Sequence, residues 1–345
     1  MKAAVLEKIT NVRENPQPLS FVEIPDPVPG EKQIRVRVSA CGVCHTELDE
    51  IEGRTPPVSF PFILGHQIVG FVDQQGPNAS KHAEGLRVGI GWIGSSCGKC
   101  RYCLEGLENL CPDFKATGRD LPGGYAQYVI VDQDFAFPIP SVYSDLQAAP
   151  LLCAGAIGWR SLRLAGLRDG ESLGLTGFGA SAHLVLTLAR HLYPRSEIFV
   201  FARSERERKF ALQLGASWSG DTADKSPQML AAVIDTTPAW KPVMEALENL
   251  APGGRLVINA IRKEETDRDQ MLRMDYPLHL WQEKEMKSVA NVARRDIEEF
   301  LAVAGRIPII PDVEEYPFAD ANRALVDLKE GRIRGAKVLK MDGIV

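Results

Sequence analysis

Apolar and polar positions alternate through the first part of the chain. Ile34, Val36 and Val38 stand between Arg35 and Arg37, and Ile68-Val69-Gly70-Phe71-Val72 is strongly β-prone, so residues 1 to about 150 predict short strands joined by loops. Turn signals at Pro56-Pro57, Gly76-Pro77-Asn78, Gly123-Gly124 and Pro138-Ile139-Pro140 recur at the spacing of a strand-rich domain. From about residue 155 the period changes. A short apolar strand over 172–176 runs into a glycine turn and a helical stretch from Ala182 to His191. A strand from Glu197 to Ala202, a charged helix ending at Leu214, a strand over 232–235, a helix from Pro242 to Leu250 and a strand from Arg255 to Asn259 follow. This alternation predicts a doubly wound α/β unit, a parallel sheet with helices on both faces. After about residue 295 the elements shorten, with Pro308, Pro311 and Pro317 closely placed, and the chain is expected to rejoin its first domain.

Length supports this division, because 345 residues exceed the usual size of one hydrophobic core. The hydrophobic share of 45%, the charged share of 25% and a net charge of -5 carry no footprint for nucleic acid or an anionic membrane, which leaves small-molecule chemistry. Met1-Lys2-Ala3-Ala4-Val5 has no apolar signal core, and no apolar stretch is long enough to span a bilayer, so the expected compartment is the cytoplasm. Seven cysteines, an odd number, lie mostly in spacings that suit metal ligation better than disulfides.

Cys97, Cys100 and Cys103 are followed after seven residues by Cys111. Four thiolates in so short a span close a tetrahedral shell around Zn²⁺ and leave no position for a substrate, so this zinc is expected to be structural. An iron-sulfur cluster uses the same ligand type and is the competing reading, with four unrelated thiols as the bland one.

Gly177-Phe178-Gly179-Ala180-Ser181-Ala182 matches G-x-G-x-x-G/A between a predicted strand and a predicted helix, the context in which glycines let the backbone approach a pyrophosphate. An NAD site usually ends its second strand with an acid. Counted back from Leu214-Gly215-Ala216, that place here is Ala202, followed by Arg203 and Ser204. The missing acid favours NADP over NAD, with Arg203, Ser204 and Arg208 as candidates for a 2′-phosphate. The competing reading makes Ser204 and Glu207 a capping box on a solvated helix. His183 is expected to pack rather than react.

Cys41 to Leu48, Gly65-His66, the Cys97 to Cys111 cluster, Gly123 to Ala126, Cys153-Ala154-Gly155 and Gly177 to Gly179 occur in an order that resembles the zinc-containing alcohol dehydrogenases of the medium-chain dehydrogenase/reductase family, from Met1 to about Lys340. The resemblance implies a GroES-like catalytic domain over 1–154 and 295–345, and a Rossmann cofactor domain over 155–294. It implies that Cys44, His66 and Cys153 hold a catalytic zinc with an open fourth position, giving two zinc ions per chain with the structural one. Thr46 would take the substrate proton, His45 would lie near the pyrophosphate, Trp92 and Trp159 would line the substrate pocket, and Cys41 would be a buried structural residue. Arg334 or Lys337 is nominated for the cofactor, since Ala336 stands where relatives place an arginine. The implied substrate is a small alcohol or aldehyde and the implied assembly a homodimer or homotetramer. A polyol or sugar dehydrogenase and a catalytically silent relative are the alternatives.

Three positions depart from the family pattern. Gln67 replaces a common glutamate, Glu47 stands where an aspartate often orients the histidine ligand, and Asp49 occupies the place of a relay histidine.

Overall fold

The alternation near the start of the chain becomes one long strand, Gln33–Val43, and the first sheet is built on it. Its inward positions Ile34, Val36, Val38 and Ala40 are buried, and from Cys41 to Val43 both faces are covered. Along one edge it pairs antiparallel with Ile68–Gln75. The other edge is shared: Tyr128–Asp132 lies beside Gln33 to Arg37, and Ala336–Lys340 beside Ala40 to Val43. Arg87–Ile90 and Ala136–Pro138 extend the sheet on one side, and Val313–Pro317 on the other.

A computed structural model describes residues 1–307, 309–331 and 335–341. The chain divides into two units, Met1–Cys153 with Val292–Val345, and Ala154–Asn291. The C-terminal return into the first unit is more helical than its prolines suggest. Helix Arg294–Ala304 presents Ile297, Phe300, Leu301 and Ala304 to the core at the three-and-four spacing of an apolar face. Full burial of side chains of this size contributes about 1.5–3 kcal/mol each.

The second unit holds a six-stranded, wholly parallel sheet. In spatial order its strands are Trp218–Gly220, Ile198–Phe201, Leu173–Thr176, Leu230–Asp235, Leu250–Ile258 and Glu285–Ser288. Numbered along the unit this is 3-2-1-4-5-6, the doubly wound order whose direction reverses between the first and fourth strands. All four residues of Leu173–Thr176 are buried, as are all four of Ile198–Phe201, which is why these strands read as unbroken apolar runs. Among the described residues no helix is long and apolar enough to cross a membrane.

Candidate active site and metal centres

Strand register brings the first two separated ligands together. Cys41 pairs antiparallel with Ile68, so the residues just after Val43 and just before Ile68 leave the sheet at the same end, and the Gly42 N–H donates to the Gln67 carbonyl at 2.9 Å. Cys44 leaves one strand there and His66 enters the other. Gly65 has φ +97, a conformation that favours glycine, and a Cβ on it would meet the Tyr125 ring at 2.5 Å and Cys41 Sγ at 2.9 Å. Cys41 itself is fully buried. Cys153 arrives from the turn Ala149–Leu152, which is anchored by the buried Leu151 and Leu152.

The three side chains converge. The ligand atoms of Cys44, His66 and Cys153 all lie within 4.8 Å of one another, and His66 Nε2 is 3.4 Å from Cys153 Sγ. A tetrahedral zinc with bonds of about 2.0–2.3 Å places neighbouring ligand atoms roughly 3.5–3.8 Å apart, so the donor set and its spacing fit that ion. Cys44 is also the N-cap of the helix His45–Ile51, where the Thr46 N–H donates to its sulfur at 3.4 Å. A hydrogen bond from Cys153 and the charge of His66 hold the Cys44 thiol well below its ordinary range against the pull of burial.

Glu47 performs the orienting role with a longer side chain than aspartate. It is fully buried, with Oε1 2.6 Å from His66 Nδ1 and Oε2 accepting the Cys44 N–H at 2.8 Å. One carboxylate therefore sets both the His66 ring and the strand end at Cys44, leaving Nε2 on the side of Cys153 Sγ. Glu47→Ala is expected to weaken metal retention at this site about 10–100-fold, read as the chelator concentration that removes half of the more labile zinc. An unchanged half-point would show that Glu47 does not support the ligand set.

Thr46 Oγ1 lies 3.4 Å from Cys44 Sγ, while His45, its neighbour on the same short helix, is exposed. Asp49 is turned elsewhere, its carboxylate accepting from Arg54 Nε. Trp92 is 8% exposed and leaves its Nε1 buried without a partner, with the Phe114 ring at 5.0 Å and Arg119 above its face at 5.1 Å. Trp159 belongs to the other unit, half-buried on the helix Ala154–Ala165.

The four-cysteine cluster closes between the paired strands Ile93–Ser95 and Lys115–Ala116. Its sulfurs lie within 4.8 Å of one another, with 3.9 Å from Cys97 to Cys103 and 3.6 Å from Cys100 to Cys103. Those are tetrahedral edge lengths for about 2.3 Å Zn–S bonds. Backbone N–H groups of Lys99 and Cys100 bring the Cys97 thiol down to about 6, whereas burial pushes Cys111 up to about 12. A divalent ion would favour the thiolate form of each sulfur. Among the described residues these two clusters are the groups of three or more His, Cys, Asp or Glu arranged to hold a metal.

In the second unit Gly177 follows the strand Leu173–Thr176 with φ +78, and a Cβ there would meet Thr236 Oγ1 and Thr237 Cγ2 at 2.9 Å. A Cβ on Gly179 would meet nothing within 4 Å, so packing does not require glycine there and the space above the turn is open. Gly179 caps the helix Ala180–Leu192 with no side-chain hydrogen bond, which leaves first-turn N–H groups for an anion. Phe178 is buried against His183, ring centroids 4.4 Å apart, and the Ser181 hydroxyl donates to the Ala154 carbonyl at 3.2 Å. Both side chains serve the unit's packing, so what this turn offers a phosphate is backbone.

Ala202 is 1% exposed at the end of Ile198–Phe201, and Arg203 beyond it is exposed. Ser204 accepts the Glu207 N–H at 3.2 Å and caps the helix Glu205–Gln213. Arg208 donates through one guanidinium nitrogen to the carbonyls of Ala202 at 2.7 Å and Arg203 at 2.9 Å, which braces the strand end. Arg334 lies outside the described residues. Lys337 is buried, with Nζ donating to Glu314 Oε2 at 2.6 Å and to the Tyr316 hydroxyl at 2.9 Å, which removes it from the cofactor candidates.

Residues 30–141 match the family model of the alcohol dehydrogenase GroES-like domain. The chain is 43% identical over 327 residues to a probable alcohol dehydrogenase, AdhA, of Mycobacterium tuberculosis (strain CDC 1551 / Oshkosh), covering 93% of this chain and 92% of that protein. Its fold matches that of a CAD from Helicobacter pylori complexed with NADP(H), at TM-score 0.85 and 20% identity over 99% of this chain and 98% of the other. It also matches a cobalt- and zinc-bound thermostable alcohol dehydrogenase from Pyrobaculum aerophilum, at TM-score 0.84 and 23% identity over 99% of each chain. With its converging cysteine and histidine ligands, its parallel sheet and glycine turn, and near full-length kinship to an alcohol dehydrogenase, the chain belongs to the zinc-dependent alcohol dehydrogenases of the medium-chain dehydrogenase/reductase family, enzymes that pass a hydride between an alcohol or aldehyde and a nicotinamide dinucleotide.

Proposed function

We propose that Cys44, His66 and Cys153 hold the catalytic zinc, that Cys97, Cys100, Cys103 and Cys111 hold a structural one, and that the enzyme works on small alcohols and aldehydes with NADP preferred to NAD. The convergence of two sulfurs and one imidazole nitrogen, with no fourth His, Cys, Asp or Glu ligand grouped with them among the described residues, carries this reading. Bound there, zinc supplies Lewis-acid stabilisation of the substrate oxygen. Glu47 fixes the His66 tautomer, and the Thr46 hydroxyl would relay the alcohol's proton, taking it up while giving its own proton on toward the nicotinamide ribose. Asp49, engaged by Arg54, does not serve as the end of the proton path, and the proton leaves to water. A homodimer or homotetramer belongs to the same reading and rests on the family resemblance.

The test is reduction of NADP and NAD by a panel of short primary alcohols, set against polyols and run before and after chelation. Chelator-sensitive turnover with primary alcohols and a preference for NADP are expected. Ala202→Asp should then restore the missing acid, lowering kcat/KM for NADP at least about tenfold while raising that for NAD. Turnover that ignores the chelator would remove the zinc assignment, and a cofactor ratio untouched by Ala202→Asp would remove the NADP assignment.

A further inference from the structure

The wall behind the glycine turn is built from a segment whose sequence carries no known fingerprint. Asp235 ends the fourth strand of the parallel sheet and pairs in register with Thr176, the residue before Gly177, at the place where strand order reverses. The Thr236 N–H donates to the Thr176 carbonyl at 2.9 Å, and its hydroxyl reaches the carbonyls of Thr176 at 3.1 Å and Gly177 at 3.4 Å. Residues 236 and 237 are also what a Cβ on Gly177 would strike. The position of this wall therefore sets where the turn can lie.

A buried ion pair holds the wall. Asp235 is fully buried and Lys263 is 8% exposed. Lys263 Nζ donates to Asp235 Oδ2 and to the carbonyls of Thr237 at 2.8 Å and Ala239 at 3.0 Å, so all three ammonium protons are used on one five-residue segment. Asp235 Oδ1 accepts the Thr237 hydroxyl at 2.8 Å, and the Glu264 N–H closes onto the Pro238 carbonyl at 2.7 Å. Burial obliges this lysine to satisfy its two remaining protons, and it does so on carbonyls of the same loop, which ties residues 237 and 239 to the ion pair.

Resting on the dinucleotide site proposed above, we infer that Lys263 and Asp235 are a positioning pair for the cofactor, fixing the Thr236–Thr237 wall so that the Gly177 turn is preset for the pyrophosphate. Neither side chain touches the dinucleotide.

The test is fluorescence titration of the purified, zinc-loaded protein with NADPH and with NADH, together with steady-state kinetics. Lys263→Met is expected to raise the Kd and KM of the preferred dinucleotide about tenfold, with kcat and the KM of the alcohol within about twofold of wild type. Lys263→Arg should recover most of the affinity. A lower Tm in Lys263→Met with an unchanged Kd would assign the pair to stability alone and overturn the inference. Should Lys263→Met not fold, Thr236→Val removes only the hydroxyl link to the Thr176 and Gly177 carbonyls and is expected to raise Kd about threefold; an unchanged Kd there overturns the inference equally. Wild type that binds neither dinucleotide refutes the cofactor site itself, whereas wild type and variants binding alike refute only the positioning role.

Discussion

Cys153→Ser is expected to lower kcat/KM for a primary alcohol by at least about a thousandfold, a loss of roughly 4 kcal/mol in transition-state stabilisation. Serine is close to cysteine in size but is a poor zinc ligand at neutral pH, so the donor is lost while the turn after Leu152 keeps its buried anchors. This variant separates chemistry from folding better than His66→Ala. Removing the imidazole would leave the wholly buried Glu47 carboxylate without its partner, and breaking a buried pair costs about 3–5 kcal/mol on its own account. Zinc analysis should find Cys153→Ser lower by about one ion per chain than wild type, if each cluster holds one. Activity within tenfold of wild type would show that Cys153 is not a ligand.

The second large effect concerns stability. Cys97→Ser or Cys111→Ser is expected to lower Tm by about 10 °C, because losing the closed shell removes several kcal/mol and each kcal/mol shifts Tm by about 2–4 °C in a domain of this size. The lobe has little else to hold it. Leu104 is 76% exposed and Leu110 is 41% exposed, so the proposed zinc would take the place of an apolar core there. One outside tie is the ion pair between Glu108 and Arg294 at 2.9 Å. Calorimetry with and without added zinc, and limited proteolysis between Ser96 and Lys115, measure the effect. A serine variant with unchanged Tm and undiminished zinc content would reduce the cluster to four unrelated thiols.

Much of the architecture was readable from local pattern. The buried parallel strands of the second unit are continuous apolar runs, and the glycine turn stands between a strand and a helix just where its chemistry requires. The predicted helix from Ala182 starts at Ala180, and the predicted strand from Arg255 starts at Leu250, across Pro252, Gly253 and Gly254, which sequence reading takes for a turn. The helix His45–Ile51 was invisible for another reason. Its Glu47, Asp49 and Glu50 are buried, and a hydropathy period assigns charged residues to the surface. Only the neighbours that tertiary folding supplies, His66 for Glu47 and Arg54 for Asp49, give two of these carboxylates a reason to be inside.

The chemistry of each donor was legible residue by residue: clustered thiols that suit zinc, a glycine that tolerates positive φ, an alanine where an acid is customary. Which donors meet came only through the family resemblance, because no local pattern shows pairings between distant segments. Cys44 and His66 share a site through the register of Gln33–Val43 with Ile68–Gln75, and Cys153 joins them from 87 residues beyond His66. Lys337 looked available for the cofactor, yet its partners are Glu314 and Tyr316, and Arg208 spends one guanidinium nitrogen on the carbonyls of Ala202 and Arg203. Lys263 carried no signal, since an ammonium 28 residues from its carboxylate becomes part of a binding site only when two strand ends fold side by side. Local sequence specifies what a side chain is able to bind; burial and register decide what it has left to bind with, because a buried polar group must find its partner in whatever the fold brings near.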